Sequence, residues 1–317
     1  MPPAYSGVRL LFVAKFNLRY HRTGIAIRDA LRAMGCDLVC VEERTRGWDS
    51  LFRRGLPRRL ASALQRHRPD LVLVYKGVGL DPDLIDALRP TSSARWINWW
   101  PDSPHVLDHS LRIGRAYDRC FLFDTYMVER HRALGRTAEY LGLGFDPAFY
   151  RPLPDPRLPR AGIAFVGTNE PYRAGALDAL KDLGLSVRGP GWPGGPVYGD
   201  EMVRFFSNAD VALNIHQFFG EPADGGRYGT GANQRVFELA GIGNVQLVDA
   251  KADIARHFKE DDEIVLCRSV PELRAQAMRL LAAPEEARAI GARGRARALK
   301  EHTWQHRLDE LLTVSLR

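Results

Sequence analysis

Short apolar runs alternate with amphipathic stretches along the whole chain. In the first half, the runs at 8–14, 38–42, 71–74, 95–98 and 119–123 are brief and largely apolar, which predicts strands buried on both faces. The second half restarts the pattern at 163–166, 185–187, 211–214, 244–248 and 264–266. Between the runs, stretches such as 24–34 (Ile25, Ile27, Leu31, Met34) and 83–88 carry helical spacing. This alternation predicts parallel sheets with helices on both faces. Five prolines between Phe145 and Pro159 bar a helix or central strand there and predict a semi-rigid linker. The expected organisation is two doubly wound, Rossmann-like α/β domains, 1–150 and 151–317, facing each other across a cleft. The chain from Pro284 is helical by composition, with Thr303 as a cap before Trp304, and the helix from about 303 is free to pack back on the first domain.

Composition narrows the class. The 317 residues are 45% apolar and 26% charged, which excludes a disordered chain. No apolar run approaches the ~20 residues of a membrane-spanning helix, and the first residues lack the basic-then-apolar signature of a signal peptide. The expectation is a cytoplasmic protein. Cys36, Cys40, Cys120 and Cys267 have no zinc-type spacing and are expected to be structural thiols. Charge changes the picture more. Residues 1–150 hold 23 Lys and Arg against 16 Asp and Glu, whereas 151–317 hold 22 of each, so the whole net +7 lies in the first half. That asymmetry points the first half towards an anionic partner.

Open parallel sheets bind ligands beyond the carboxyl ends of their strands, so candidate residues are sought there. After the first run comes a polar loop containing Arg19 and His21, closed by Gly24, where the backbone can approach a ligand. The segment 44–68 interleaves eight arginines with Trp48, Leu51, Phe52, Leu56, Leu60 and Leu64. It reads either as an anionic-surface binder or as a helix packing its apolar side on the sheet. Trp96, Trp99 and Trp100 put half of the chain's six tryptophans next to Asp102 and His105. Trp99 and Trp100 are expected to offer faces to a sugar ring, with Asp102 or His105 as a general base. Asp81-Pro82-Asp83 spells a metal-binding pattern but is better read as a helix start. In the second half, Gly167 and Thr168 form a turn suited to phosphate. Gly189-Pro190-Gly191-Trp192-Pro193-Gly194 spells a dinucleotide fingerprint, but Pro193 and Pro196 block the helix that motif must open. Trp192 is instead expected near a nucleotide base. A Gly-rich loop at 225–231 then leads into Asn233-Gln234-Arg235-Val236-Phe237-Glu238. Such a helix start suits a diphosphate, with Arg235 adding charge-assisted contacts and Glu238 accepting ribose hydroxyls. The same two residues are also an ordinary i, i+3 pair.

These blocks together resemble the GT-B glycosyltransferases, in particular the CgeB-like (spore maturation protein type) family. The resemblance is carried by Gly142-Leu143-Gly144-Phe145-Asp146-Pro147, Phe165-Val166-Gly167-Thr168, Gly189-Pro190-Gly191-Trp192, 209–216, 233–238 and Thr303-Trp304 with Arg307, in that order. More loosely, Trp99-Trp100-Pro101-Asp102-Ser103-Pro104 resembles the family's Pro-ended acidic segment. The resemblance implies a nucleotide-diphosphate-sugar donor on the second domain. Glu238 would hold the ribose, Gly167, Thr168 and Arg235 would lie near the diphosphate, and Asn214, His216 and Asn233 near the donor pocket. The acceptor would fall to the first domain, with Arg19, Gly24, Trp99, Trp100 and His105 beside it and Asp102 or His21 as base. Related retaining enzymes carry a glutamate eight residues before the ribose glutamate, and Thr230 stands there. Retention or inversion stays open.

The implied activity is metal-independent transfer of a sugar to a glycan or lipid-linked, anionic acceptor, with peripheral contact at an anionic membrane. No cofactor, bound metal or nucleic-acid partner is expected. Alternative readings are a nucleotide-sugar-binding protein without transferase activity and a nucleotide-sugar epimerase on the same fold.

Overall fold

The computed structural model describes residues 4–16, 22–43, 55–102, 104–216 and 229–317. The chain divides into two compact units, Met1–Gly142 with Trp304–Arg317, and Leu143–Thr303.

In the first unit, β1 (Arg9–Ala14), β2 (Asp37–Glu42), β3 (Leu71–Tyr75), β4 (Arg95–Trp100), β5 (Arg119–Leu122) and β6 (Ala138–Tyr140) form one sheet in the order β2-β1-β3-β4-β5-β6. All its pairs are parallel. Helices α1 (Arg22–Ala33), α2 (Gly55–His67), α3 (Pro82–Leu88), α4 (Leu107–Gly114) and α5 (Thr125–Ala133) connect the strands. The predicted strands are present in both halves, and β6 is one that the apolar pattern did not mark. β4 is central, which explains its tryptophans. Trp96 and Trp100 face the core that Leu56, Leu60 and Leu64 of α2 complete. Trp99 faces the other way, edge-on to Trp304 at 5.5 Å and to Tyr75 at 5.7 Å. The terminal helix Trp304–Ser315 is bound to this unit further by Tyr5, whose hydroxyl donates to Asp309 Oδ1 at 2.8 Å, and by Arg95, which donates to the Ser315 carbonyl at 2.7 Å. α3 starts as expected: the Asp81 carboxylate accepts from the Asp83 N–H, and Asp83 pairs with Arg115.

Buried titratable groups here are structural. Burial pushes the Cys36 thiol up to about 11 and Cys120 up to about 12, so neither is a thiolate at neutral pH. His131 is buried against Ser110, its Nε2 at 2.9 Å from the hydroxyl. Desolvation, reinforced by Arg136, lowers its pKa to about 4. The unfolded chain therefore binds a proton at this residue near pH 5 that the folded chain does not. Stability contributed by neutral His131 is complete above about pH 6.5 and is lost as pH falls towards 4. Denaturant titrations at several pH values should give wild type a slope about 1.4 kcal/mol per pH unit steeper near pH 5 than His131→Gln. Equal slopes would refute this assignment.

In the second unit, β7 (Ala161–Val166), β8 (Leu185–Arg188), β9 (Ala209–Asn214), β10 (Val245–Asp249) and β11 (Val265–Cys267) pair in parallel in the order β11-β10-β9-β7-β8. α6 (Pro171–Asp178), α7 (Gly199–Ser207), α8 (Gln234–Ile242), α9 (Val270–Ala282) and α10 (Pro284–Glu301) complete it. The Pro-rich stretch is not a free spacer. Phe145 is fully buried and bridges to Thr303, Leu153 N–H donates to Ser207 and Asp155 N–H to Asn208. Gly241 of α8 lies so close to the Phe145 ring that a Cβ there would collide with it.

Candidate active site

The candidate residues lie just past the carboxyl ends of the strands of each sheet, where open parallel sheets bind ligands. In the second unit, the loops after β7 and β8 are zipped together. Gly167 N–H donates to the Arg188 carbonyl at 3.1 Å, Asn169 N–H to Pro190 at 2.9 Å, and Trp192 Nε1 to the Gly167 carbonyl at 2.9 Å. Gly189, at φ 137°, lies against the Gly167 carbonyl where no Cβ fits. The glycines thus serve a tight loop pairing, and no helix opens after them before Gly199. Thr168 is exposed at this turn.

Arg173 on α6 was not singled out by the sequence reading. Its Nε donates to the Ile215 carbonyl at 3.1 Å, its Nη1 to Thr168 O at 3.3 Å, and its guanidinium lies 5.8 Å from the Phe165 ring. Desolvation lowers its pKa, with Asp249 opposing.

Past β9, His216 is fixed on three sides. Its backbone N–H and Nδ1 both meet Asp249 Oδ1, at 2.8 and 2.7 Å, and its Nε2 lies 3.2 Å from the Asn233 N–H. A backbone N–H only donates, so Nε2 accepts and the ring proton sits on Nδ1, facing the carboxylate. The second Asp249 oxygen is buried without a hydrogen bond and lies 3.8 Å from the Lys251 ammonium. Asn214 and Asn233 exchange amide hydrogen bonds at 3.0 and 3.2 Å, and Asn233 also caps α8 by accepting from Val236 N–H. Asp249 and Lys251 are further residues the sequence reading missed.

On α8, the Glu238 carboxylate is nearly buried and both oxygens are engaged. Oε1 accepts from Gln234 Nε2 at 2.8 Å, and Oε2 pairs with Arg235 Nη1 at 3.0 Å. Arg235 turns towards α7, with Nη1 2.8 Å from the Met202 sulfur. Thr230 donates its hydroxyl to the buried Asp253 carboxylate at 2.8 Å.

In the first unit, Arg19 and His21 lie outside the described residues, as do Trp48, Leu51 and Phe52. Two expectations need correction. Trp99 and Trp100 are 0% and 1% exposed, so neither offers a face to a sugar: a central strand buried on both sides consumes them as core. Gly24 does permit close approach, but of α1 to the chain's own Lys15 carbonyl, which fills the space a Cβ would need. Of the two readings of 44–68, the described part follows the helix packing its apolar side on the sheet: Leu56, Leu60 and Leu64 are buried in the core, while Arg58, Arg59 and Arg66 are exposed. Asp102 lies past β4, half-buried, its Oδ2 2.6 Å from Lys76 Nζ. His105 is exposed in the single turn Pro104–Val106. His109 of α4 was not anticipated: its Nε2 is buried without a partner, and its pKa is lowered by burial, then Arg112 and Lys76, with Asp102 opposing. Among the described residues, no three His, Cys, Asp or Glu side chains group as metal ligands, and no helix is long and apolar enough to cross a membrane.

Comparison with known proteins fits this geometry. A family described as glycosyl transferase-like matches residues 173–313, from Arg173 onward through α8. Solved structures match over nearly the whole chain. Sucrose-phosphate synthase from Thermosynechococcus elongatus is 11% identical with a TM-score of 0.66, covering 97% of this chain and 98% of its own. Anabaena HepE in complex with UDP and glucose is 9% identical with a TM-score of 0.65, covering 97% and 100%. The lipopolysaccharide outer core galactosyltransferase WaaB, in apo form, is 11% identical with a TM-score of 0.62, covering 97% and 99%. The chain has the GT-B fold. No curated protein sequence matches it. The family match takes in α8 of the second unit, while the GT-B likeness extends over both units.

Proposed function

We propose that this protein is a glycosyltransferase of the CgeB-like type that moves a sugar from a nucleotide-diphosphate donor to a glycan acceptor without a metal ion. The second unit takes the donor and the first the acceptor. The observation that carries the reading is the gathering of Arg173, His216, Asn233, Asp249, Lys251 and Glu238 from separate elements at one edge of the second sheet. Arg173 and Lys251 supply positive charge in a desolvated place, where a departing diphosphate is stabilised most. Glu238 holds the ribose and Trp192 borders the base. In transfer, the bond from the anomeric carbon to the diphosphate oxygen breaks and a bond to the acceptor oxygen forms. In an inverting course the acceptor's proton passes to Asp102. The excess positive charge of residues 1–150 favours an anionic glycan, including one presented by a lipid.

HepE was solved with UDP, so UDP is the first donor nucleotide to test. Saturating UDP, measured beside ADP and GDP, should raise Tm, because a ligand of the native state stabilises it by linkage. Turnover of the matching sugar nucleotide should survive EDTA and be faster on an acidic than on a neutral glycan. No Tm shift with any nucleoside diphosphate would overturn the donor assignment. Turnover abolished by EDTA and restored by magnesium would overturn metal independence, and equal use of both glycans would reduce the charge to a solvated face.

A further inference from the structure

We propose that Lys76 is a positioning residue for Asp102, its backbone held in a strained turn so that its ammonium fixes the Asp102 carboxylate for the acceptor. This rests on the reading of Asp102 as the acceptor-side base.

Lys76 follows β3 at φ 67°, in the left-handed region that favours glycine, and Gly77 continues at φ 78°. Among the described residues, the other non-glycine positions with positive φ are Arg68 and Asp261. Strain of this kind persists only where the surroundings enforce it, and here they do. Lys76 N–H donates to the Trp99 carbonyl at 2.9 Å. Asn98, 2% exposed, donates from Nδ2 to both the Val74 and Lys76 carbonyls at 3.1 Å. Three residues on, the Gly79 N–H donates to Glu43 Oε1 at 2.5 Å. Glu43 is 5% exposed, and its second oxygen is buried without a partner. Burial raises its pKa, opposed by the Gly79 hydrogen bond, Lys15 and Lys76. Two buried polar side chains are thus dedicated to one short loop, and one of them is left half-satisfied.

The product of this arrangement is the Lys76–Asp102 pair at 2.6 Å, with side chains 35% and 28% exposed. An ion pair so open to water contributes little to stability. A glycine at 76 would adopt the same turn without strain. The Lys76 charge does favour the buried Glu43 carboxylate, but that gives folding no reason to direct the ammonium onto Asp102. A reason appears if the carboxylate must be held in one orientation while it receives a proton. The pair is partly exposed, at the carboxyl edge of the sheet, where an acceptor hydroxyl can reach it.

The test compares Lys76→Gly, Lys76→Arg, Asp102→Asn and the double variant Lys76→Gly/Asp102→Asn in the full chain, by Tm and by transfer kinetics. Lys76→Gly should leave Tm unchanged or raise it, lower kcat about 10-fold, and leave the donor KM within about twofold. Lys76→Arg should regain part of kcat, and the double variant should be no slower than Asp102→Asn alone. Wild-type kcat in Lys76→Gly beside an impaired Asp102→Asn overturns the positioning role alone. A Tm that falls with kcat in Lys76→Gly, unrescued by arginine, makes Lys76 structural and also overturns it. Wild-type kcat in Asp102→Asn overturns the underlying reading of Asp102, and this proposal with it.

Discussion

Asp102→Asn should lower kcat by about 10²- to 10⁴-fold while leaving the donor KM and the fold nearly unchanged. Asparagine matches the carboxylate in size but accepts no proton, so the acceptor hydroxyl loses its base without losing the shape of the loop. The side chain is partly exposed and pairs with Lys76. Breaking a pair so open to water costs about 0–1 kcal/mol of stability, too little to unfold the chain. The variant therefore separates chemistry from folding. Steady-state transfer kinetics with circular dichroism as a control would decide it. His109 stands close enough for Asp102 to affect its titration, so His109→Gln is the necessary comparison. Full activity in Asp102→Asn together with a severe loss in His109→Gln would move the base to the histidine. Full activity in both would leave transfer without a protein base, as a retaining course allows.

How well the sequence foretold the molecule depended on whether a property was local. Strands buried on both faces produce unbroken apolar runs, so β1, β3, β7 and β9 were legible from periodicity. β6 was not, because it is three residues long and carries Glu139 in the middle. The Asp81 cap, the failed dinucleotide fingerprint and the i, i+3 pairing of Arg235 with Glu238 are all local and were foreseen. The tryptophans misled for a physical reason. A cluster of large rings after a polar run suits a sugar platform and a central-strand core equally, and only the sheet order decides which. Arg173 and Asp249 were missed because their meaning comes from partners distant in sequence. His216 reaches Asp249 across 33 positions, and Arg173 reaches Ile215 across 42. Asp249 did carry one usable signal: it ends a strand at the edge where such sheets bind ligands. The strained turn at Lys76 had only the neighbouring Gly77 to announce it.

Glu238→Ala should weaken UDP binding roughly 10- to 150-fold, the equivalent of losing hydrogen bonds to a charged group worth about 1.5–3 kcal/mol. Glu238 is the acidic side chain that α8 carries at this edge, and its side chain is 8% exposed, so water screens it little. In the free protein its oxygens are held by Gln234 and Arg235, one on each. Both partners lie within one turn of the same helix, so the carboxylate is held in a fixed rotamer before a ligand arrives. That preorganisation lowers the ordering cost of binding a diol. The effect on the fold should be small, because Arg235 keeps its contacts to Met202 and Phe206. Calorimetric titration with UDP, paired with Tm, distinguishes the outcomes. Glu238→Gln keeps the side-chain shape without its charge and should fall between wild type and alanine. A Tm drop in alanine alone, with glutamine binding like wild type, would assign Glu238 to helix packing. Unchanged affinity in both variants would remove Glu238 from the donor site and leave the anchoring of the nucleotide to Arg173, Lys251 and the loops after β7 and β9.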